Sequence, residues 1–299
     1  MEVDRPNFFA GPYVERRAEE RENPQWLVAA RADPATRYLI SQGTAQLLRA
    51  GAEPRIALLD NGSPLLAAMR PGSEVLLGWF QGARCVLAVL PEGRTVELPA
   101  GTQFTELRPL TAVLPADEAG LLAYARALVI WRARHARCGV CGAPTVATRA
   151  GHCLLCTDPS CAHEYFPRID PAIIVLVSDG ERALLGRQAS WPARRYSTIA
   201  GFVEPGESLE DAVEREVAEE TGVTVTQVRY HSSQPWPFPS SVMLGFQASA
   251  RPDSEVRVGG ELEDARWFTR AQVHAGEALT PPTQSISWRL IECWLKGGG

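Results

Sequence analysis

Five of the seven cysteines in this 299-residue chain lie between Cys138 and Cys161, and this cluster constrains the fold more than any other feature. Cys138 and Cys141 form a Cys-x-x-Cys pair, and Cys153, Cys156 and Cys161 follow. Two cysteine pairs about 15 residues apart are typical of a tetrahedral zinc ribbon. In a reducing compartment such a cluster indicates a metal site rather than disulfides. We therefore expect a small zinc-binding module in the middle of the chain.

Two pairings are open for the second half of this zinc site. Cys156 can pair with Cys161 or with Cys153, and His152 and His163 are further candidate ligands. A site with four thiolates has no open coordination position, so it is structural rather than catalytic. We favour one ligand set, which leaves Cys153 as a bystander: Cys138, Cys141, Cys156 and Cys161.

Charge and hydropathy exclude several classes of protein. The formal net charge of −5 argues against a general nucleic-acid or membrane-surface binder. The first residues are charged and contain no apolar signal segment, and no apolar run approaches the roughly 20 residues that span a bilayer. We expect a cytoplasmic protein that makes no contact with membranes.

The chain divides into three predicted domains. Residues 1–133 contain short apolar runs between turn residues, which indicate a β-rich domain with a structural or dimerising role. Residues 134–168 hold the cysteine cluster, and residues 169–299 alternate strands with helices. The sequence shows no internal repeat.

The segment from Gly201 to Val223 predicts a helix with two different faces. Leu209, Val213 and Val217 recur at helical spacing and predict an apolar stripe that faces a core. Glutamates at 216, 219 and 220 share a second face, where like charges repel one another. Either Arg215 or divalent cations could neutralise them, and oxygen-only clusters suit Mg²⁺ or Mn²⁺. An ordinary solvated acidic face is the alternative.

The same segment resembles the Nudix box, the signature of hydrolases that cleave nucleoside diphosphates linked to another group. The positions that match the box are Gly201, Glu207, Arg215, Glu216, Val217, Glu219, Glu220, Gly222 and Val223. The resemblance implies an α+β chain with a Nudix α/β/α sandwich at residues 169–299, preceded by the zinc ribbon and the β-rich domain. It also implies that Glu216, Glu220 and the carbonyl of Ala200 hold Mg²⁺ or Mn²⁺, and that Glu219 or Glu220 assists the attacking water.

A second motif, SQPWPFPSS, begins ten residues after Val223. Its prolines fix the backbone, so Trp236 and Phe238 can form rigid walls for a flat ring, and Gln234 and Ser241 offer hydrogen bonds. Packing of both aromatics into the core is the alternative. The segment resembles a motif of the NADH pyrophosphatase subfamily, which also carries a zinc segment. The predicted substrate-binding residues here are Gln234, Pro235, Trp236, Pro237, Phe238, Pro239, Ser240 and Ser241.

The resemblance implies four further site residues. Glu261 would be another metal ligand, Phe202 would stack on a base, and Ser287 would contact substrate through its backbone. Phe166 would reach the site of a partner subunit, which implies a homodimer.

The predicted activity is the metal-dependent hydrolysis of the pyrophosphate bond of NADH and NAD⁺ to nicotinamide mononucleotide and AMP. The same chemistry would remove NAD caps from RNA 5′ ends, so the expected partners are a small dinucleotide and NAD-capped RNA. Two alternatives stay open: a broader pyrophosphatase acting on ADP-ribose or other dinucleotides, and a non-catalytic nucleotide sensor or nucleic-acid-binding module.

Overall fold

The computed structural model describes residues 6–251 and 254–298, which group into two units. The carboxyl-terminal unit contains residues 6–8, 169–236, 241–251 and 254–298, and the amino-terminal unit contains residues 9–168 and 237–240. The predicted division at 133/134 and 168/169 stays a prediction, since the amino-terminal unit includes both the first domain and the cysteine segment. No helix in the described part of the chain is long and apolar enough to cross a bilayer.

The amino-terminal unit is built on a seven-stranded sheet with two α-helices. Its strands are β1 Val14–Glu15, β2 Arg37–Gln42, β3 Ala45–Arg49, β4 Arg55–Ile56, β5 Val75–Phe80, β6 Ala83–Leu90 and β7 Thr102–Thr105. Its α-helices are α1 Trp26–Ala32 and α2 Ala116–Arg134, and its 3-10 helices are Ala18–Glu22, Pro64–Ala68, Arg108–Leu110 and Arg149–Gly151. The strand order is β1-β5-β6-β2-β3-β4, with β7 beside β3. The prediction of a β-rich amino-terminal domain is confirmed.

Polar groups tie α2 to the sheet at buried positions. The amide of Gln46 in β3 donates to the carbonyl oxygen of Leu122 at 2.9 Å. The buried carboxylate of Glu118 accepts from the backbone N–H of Ile56 and from Arg55, both at 2.7 Å. Buried polar groups need such partners, so α2 is fixed in register against β3 and β4.

The cysteine segment forms its own small sheet in the same unit. Its strands are β8 Thr145–Thr148, β9 Cys153–Cys156 and β10 Glu164–Tyr165, in the order β10-β9-β8. This antiparallel sheet is too small to bury a core of its own, so a bound metal is the expected source of its stability.

The carboxyl-terminal unit is built on a six-stranded mixed sheet. Its strands are β11 Asp170–Ser178, β12 Arg182–Arg187, β13 Ile199–Phe202, β14 Val225–Trp236, β15 Ser241–Ala250 and β16 Asp264–Thr269. Its helices are α3 Leu209–Thr221, α4 Arg270–His274 and α5 Ile286–Leu295. The strand order is β14-β15-β11-β12-β16, and β13 pairs with β11.

Strand β11 lies between two helical layers, and its side chains alternate between them. Ile173, Val175 and Val177 are buried in a cluster that includes Val213 and Val217 of α3. Ile174 and Leu176 are buried in a second cluster with α5, which supplies the apolar residues Ile286, Leu290, Ile291 and Trp294. The continuous apolar run of β11 therefore covers both faces of the sheet, and the predicted α/β/α sandwich is confirmed.

The two large sheets share one topology. In the order β5-β6-β2-β3-β7, successive neighbours are antiparallel, parallel, antiparallel and antiparallel. The order β14-β15-β11-β12-β16 shows the same sequence of directions. The amino-terminal unit therefore repeats the strand plan of the other sheet, although the sequence shows no internal repeat.

Candidate active site and metal centres

The acidic segment forms a strand, a loop and a helix, as predicted. Ser208 caps α3: its side chain accepts from the N–H of Asp211, and the Asp211 carboxylate accepts from the N–H of Ser208. Gly222 ends the helix in the left-handed region with φ of 70°. Val213 and Val217 are fully buried, and Leu209 packs against the same cluster. The predicted apolar stripe is confirmed, and it turns the acidic positions away from the core.

Arg215 gathers three of the glutamates. Its guanidinium lies 2.5 Å from Glu207, 3.0 Å from Glu216 and 3.1 Å from Glu219, measured between nitrogen and carboxylate oxygen. It also donates to the carbonyl oxygen of Phe202 at 3.0 Å. These hydrogen bonds, first of all the one to Glu207, raise the pKa of Arg215. One cation thus joins the loop before α3, the helix itself and the end of β13.

Glu220 has a different environment from the other box glutamates. Its side chain is buried, with 7% of the residue exposed. Burial, followed by the charges of Glu216, Glu261 and Glu219, raises the pKa of Glu220 to about 7. Burial also raises the pKa of Glu216. A cation placed among these oxygens would remove this electrostatic cost, and oxygen-only ligands suit Mg²⁺ or Mn²⁺, so the donor set fits the predicted divalent metal.

Two glycines make room for the acidic cluster. A Cβ on Gly201 would lie 2.0 Å from the carboxyl carbon of Glu216. A Cβ on Gly259 would lie 2.1 Å from the backbone oxygen of Glu219, and the N–H of Gly259 donates to the carbonyl of Glu220 at 2.7 Å. The Glu216 carboxylate therefore packs directly against the backbone of Gly201 in β13, the strand that also contains Ala200.

The glutamates predicted as metal ligands interact electrostatically, but they do not form one tight group of ligand atoms. Ala200 lies in β13 opposite Ile174 of β11, and Glu261 is exposed in the loop before β16. Within residues 6–251 and 254–298, the one group of three or more candidate ligand atoms within 4.8 Å of one another is the cysteine group. Of the predicted metal-binding glutamates, Glu216 is paired with Arg215 at 3.0 Å.

Four of the five clustered cysteines converge. The sulphur atoms of Cys138, Cys141, Cys156 and Cys161 all lie within 4.8 Å of one another. The hydroxyl of Tyr165 lies 3.2 Å from the Cys138 sulphur, and this hydrogen bond is the main reason that the pKa of Cys138 is lowered to about 6. A set of four sulphurs with one stabilised thiolate fits a closed zinc site.

Cys153 lies outside this group. It is fully buried in β9, opposite Thr148 of β8. His152 is also buried, and its Nε2 lies 2.8 Å from the carbonyl oxygen of Leu76. The geometry thus brings together the ligand set favoured from the sequence, while Cys153 and His152 have structural surroundings.

The SQPWPFPSS segment forms the end of β14, a short loop and the start of β15. The strand ladder closes at the pair Trp236 and Ser241, so Pro237, Phe238, Pro239 and Ser240 form the loop. Pro235 pairs with Val242 in the ladder. Trp236, Phe238, Ser240 and Ser241 are partly buried, and Pro239 is exposed.

Gln234 is fully buried, and its amide is used inside the protein. It donates to the carbonyl oxygens of Phe8 at 3.1 Å and Gln284 at 2.8 Å, and it accepts from the N–H of Ile286 at 2.9 Å. Asn7 adds a bond to the carbonyl oxygen of Ser233 at 2.7 Å. Substrate contact by the Gln234 side chain stays a prediction, and these bonds give it a second role in fixing β14.

Phe238 contacts two arginines that sequence reasoning missed. The central guanidinium carbons of Arg108 and Arg126 lie 4.2 and 5.1 Å from its ring centroid. Arg126 also donates to the carbonyl oxygen of Pro237 at 2.6 Å. Neither arginine lies in a recognisable motif, and Arg126 is 111 positions from Pro237, so no local pattern could have indicated the contact.

The remaining predicted residues lie on both units. In the carboxyl-terminal unit, Phe202 is 60% exposed at the end of β13, whereas Ser287 is buried in α5 and its hydroxyl lies 2.9 Å from those of Ser197 and Thr198. In the amino-terminal unit, Phe166 is 54% exposed, with the guanidinium of Arg149 at 5.3 Å from its ring centroid. Exposed rings at Phe202 and Phe166 suit the stacking and inter-subunit roles that the resemblance implies, which stay predictions.

Three family models match consecutive parts of the chain. Residues 25–131 match the NADH pyrophosphatase-like rudimentary NUDIX domain, residues 133–166 the NADH pyrophosphatase zinc ribbon domain, and residues 168–289 the NUDIX domain. The first match agrees with the repeated strand plan described above.

Related proteins extend over most of the chain. It is 42% identical over 273 residues to the NAD-capped RNA hydrolase NudC of Mycobacterium bovis BCG Pasteur, covering 84% of this chain and 86% of that protein. It is 32% identical to the human NAD-capped RNA hydrolase NUDT12, covering 97% of this chain and 73% of that protein. A solved NUDIX hydrolase from Nitrosomonas europaea aligns with a TM-score of 0.45 and 20% identity, over 54% of this chain and 90% of that one.

The sandwich, the box, the three family models and the two related sequences define a hydrolase of the Nudix class. The chain belongs to the Nudix family, in the group that joins an NADH pyrophosphatase-like domain and zinc ribbon to the catalytic domain. The resemblance drawn from the sequence is thereby confirmed.

Proposed function

We propose that the protein hydrolyses the pyrophosphate bond of NADH and NAD⁺ to nicotinamide mononucleotide and AMP, and removes NAD caps from RNA by the same reaction. The observation that carries the proposal is the buried Glu220 within the charged cluster of a complete Nudix box. The SQPWPFPSS segment and the names of the mycobacterial and human relatives support the choice of substrate.

The residues have distinct tasks in this reaction. Glu216, Glu220, Glu261 and the Ala200 carbonyl would hold the divalent cations. When bound there, the cations would withdraw charge from the pyrophosphate oxygens and make a water easier to deprotonate. Arg215 fixes Glu207, Glu216 and Glu219, so the site is organised before substrate arrives. Glu219 or Glu220 accepts a proton as the water oxygen bonds to one phosphorus, and the bridging oxygen leaves with the other phosphoryl group.

A glutamine at position 220 tests the activity. We expect Glu220→Gln to lower kcat on NADH by about 10²- to 10⁴-fold, because the variant loses a charged metal ligand or base while keeping the shape of the side chain. Glu214→Gln is the matched control, since Glu214 is exposed on the same helix. NADH and NAD-capped RNA are incubated with Mg²⁺ or Mn²⁺, and products are identified by mass. Unchanged turnover in Glu220→Gln would remove the metal-site argument, whereas a wild-type protein without turnover would favour a non-catalytic nucleotide sensor.

Specificity constants separate the proposed substrate from its enzymatic alternative. We expect kcat/KM on NADH to exceed that on ADP-ribose and diadenosine polyphosphates. A preference for ADP-ribose would replace the proposal by a broader dinucleotide pyrophosphatase.

Three finer statements belong to the same proposal. Mg²⁺ or Mn²⁺ acts at the box, Zn²⁺ is structural in the ribbon, and the protein is a cytoplasmic homodimer to whose partner site Phe166 contributes. Sedimentation velocity on wild-type and Phe166→Ala protein, paired with activity, tests the last point. A monomeric wild-type enzyme with full activity would contradict it.

A further inference from the structure

The loop 237–240 is a turn that lies beyond the last pair of the β14–β15 ladder. The β14–β15 ladder ends at Trp236 and Ser241, and Pro237 and Pro239 have no N–H to donate. Side chains from elsewhere in the amino-terminal unit contribute to fixing this loop, since Phe9, Arg108 and Arg126 contact the Phe238 ring and Arg126 also reaches the Pro237 carbonyl.

Arg126 is the side chain best placed to do this. It projects from α2 and is 13% exposed, and its Nη1 donates to the carbonyl oxygen of Pro237 at 2.6 Å. Its guanidinium also lies over the Phe238 ring, at 5.1 Å from the centroid. Its Nη2 lies 3.7 Å from Glu106, whose other carboxylate oxygen accepts from Thr44 at 2.6 Å.

These contacts use features that only arginine combines. Its planar group can donate to a carbonyl and cover an aromatic face at the same time, whereas lysine has a single point charge. The ion pair with Glu106 orients the guanidinium, and the rigid helix α2 fixes its origin. Arg126 thus constrains both the backbone and the ring of the loop.

We infer that Arg126 is a positioning residue for substrate binding, which acts through Pro237 and Phe238. The inference rests on the proposed function, in which Phe238 contacts the dinucleotide. It means that Arg126, a residue outside the Nudix box, contributes to substrate affinity by fixing this loop.

Arg132 provides a matched control on the same helix. It too is partly buried, and it donates to backbone carbonyl oxygens, at 2.6 Å to Gly72 and 2.8 Å to Ser73. Its partners lie in the turn before β5, away from the SQPWPFPSS segment. Loss of Arg132 therefore disturbs the amino-terminal unit to a similar degree without touching the loop.

The test compares steady-state kinetics on NADH for Arg126→Met, Arg126→Lys, Arg132→Met and the wild type. We expect Arg126→Met to raise KM about tenfold with kcat changed by no more than about threefold, because a displaced wall weakens binding without altering the box. Arg126→Lys, which keeps the charge beside Glu106 and is expected to fold, should lie in between. An unchanged KM in Arg126→Met, or an equal rise in Arg132→Met, would overturn the inference.

A double-mutant cycle with Phe238→Leu shows whether Arg126 acts through the ring. We expect kcat/KM of the double variant to lie within about twofold of Phe238→Leu alone, because the two substitutions remove one shared interaction. If the fold losses in kcat/KM of the two single variants multiply in the double variant, Arg126 acts independently of the Phe238 ring, and the inference is refuted. A wild-type chain without NADH hydrolysis would overturn the proposed function and this inference with it, whereas wild-type turnover with an unaffected Arg126→Met overturns the inference alone.

Discussion

Arg215 determines which carboxylates of the box carry uncompensated charge. It pairs with Glu207, Glu216 and Glu219, and it lowers the pKa of Glu207 through a hydrogen bond. In the described part of the chain, Glu220 has no ion pair of this kind, and its pKa is raised instead. Glu220 is therefore the box carboxylate whose negative charge a bound cation would stabilise most.

Gly201 offers a prediction at the scale of one residue. We expect Gly201→Ala to lower kcat on NADH by about 10²-fold, because the new Cβ would displace the Glu216 carboxylate from its place on β13. Gly62→Ala is the control, since its Cβ would meet its nearest neighbour, Asp60, at an ordinary 3.4 Å. Kinetics at saturating Mn²⁺ and an unfolding curve measure the two effects separately. Full activity in Gly201→Ala would show that the position of Glu216 is not critical.

Single residues also show which features of the site can be predicted from the sequence. The periodicity of Leu209, Val213 and Val217 was enough to predict which face of α3 is buried, because that signal is local. The roles of Arg126 and Asn7 could not be predicted, because each bonds to the SQPWPFPSS region across more than one hundred positions of chain. Such contacts depend on the tertiary fold rather than on local pattern.

At the scale of elements, the start of α3 sets the position of the acidic face. The hydroxyl of Ser208 accepts from the N–H of Asp211 at 3.1 Å and completes the capping box. We expect Ser208→Ala to lower the free energy of unfolding by about 1 kcal/mol, because an orphan N–H loses its partner. Ser208→Thr, whose hydroxyl can still donate to the Asp211 carboxylate, should retain most of the stability. Urea denaturation measures both, and an unchanged midpoint in Ser208→Ala would contradict the assigned cap.

The ribbon gives a second prediction at this scale, which concerns its metal. We expect wild-type protein to contain bound zinc and Cys141→Ser to lose most of it, because Cys141 is one of four converging sulphurs. Cys153→Ala is the matched control, since Cys153 is buried in β9 outside that group. Inductively coupled plasma mass spectrometry after gel filtration measures the content. Loss of zinc from Cys153→Ala with retention in Cys141→Ser would overturn the favoured ligand set.

At the scale of the whole molecule, the same strand order occurs in both units but carries different functional residues in each. In the carboxyl-terminal unit the plan carries the box, which runs from the end of β13 through α3. In the amino-terminal unit the same order of strands lacks the box, and the helix α2 instead presents Arg126 to the loop 237–240. The motifs were enough to predict the catalytic sandwich. The repeated topology was not predicted, because strand order depends on pairing between residues far apart in the chain and the sequence shows no internal repeat.

Stability of the whole molecule should depend on pH through His152. The residue is 7% exposed, and its Nε2 lies 2.8 Å from the carbonyl oxygen of Leu76. Burial is the main reason that its pKa falls from 6.5 to about 4, and the charges of Arg21, Arg16 and Arg132 act in the same direction. The folded state therefore keeps a neutral imidazole that donates to Leu76, while the unfolded chain binds a proton below its own pKa.

The sign of the effect follows from this difference in proton binding. Above a pH of about 6.5, His152 is neutral in both the folded and the unfolded state, so its contribution to the free energy of unfolding is constant. Between pH values of about 6.5 and 4, this histidine is protonated only in the unfolded chain. The free energy of unfolding therefore decreases as the pH is lowered, by about 3 kcal/mol in total. Burial lowers the pKa of His231 as well, so some decline should persist without His152. We expect urea denaturation at pH 7, 5.5 and 4.5 to show a shallower decline for His152→Gln than for the wild type, because glutamine can donate to Leu76 without titrating. Equal slopes would show that protonation of His152 does not oppose folding.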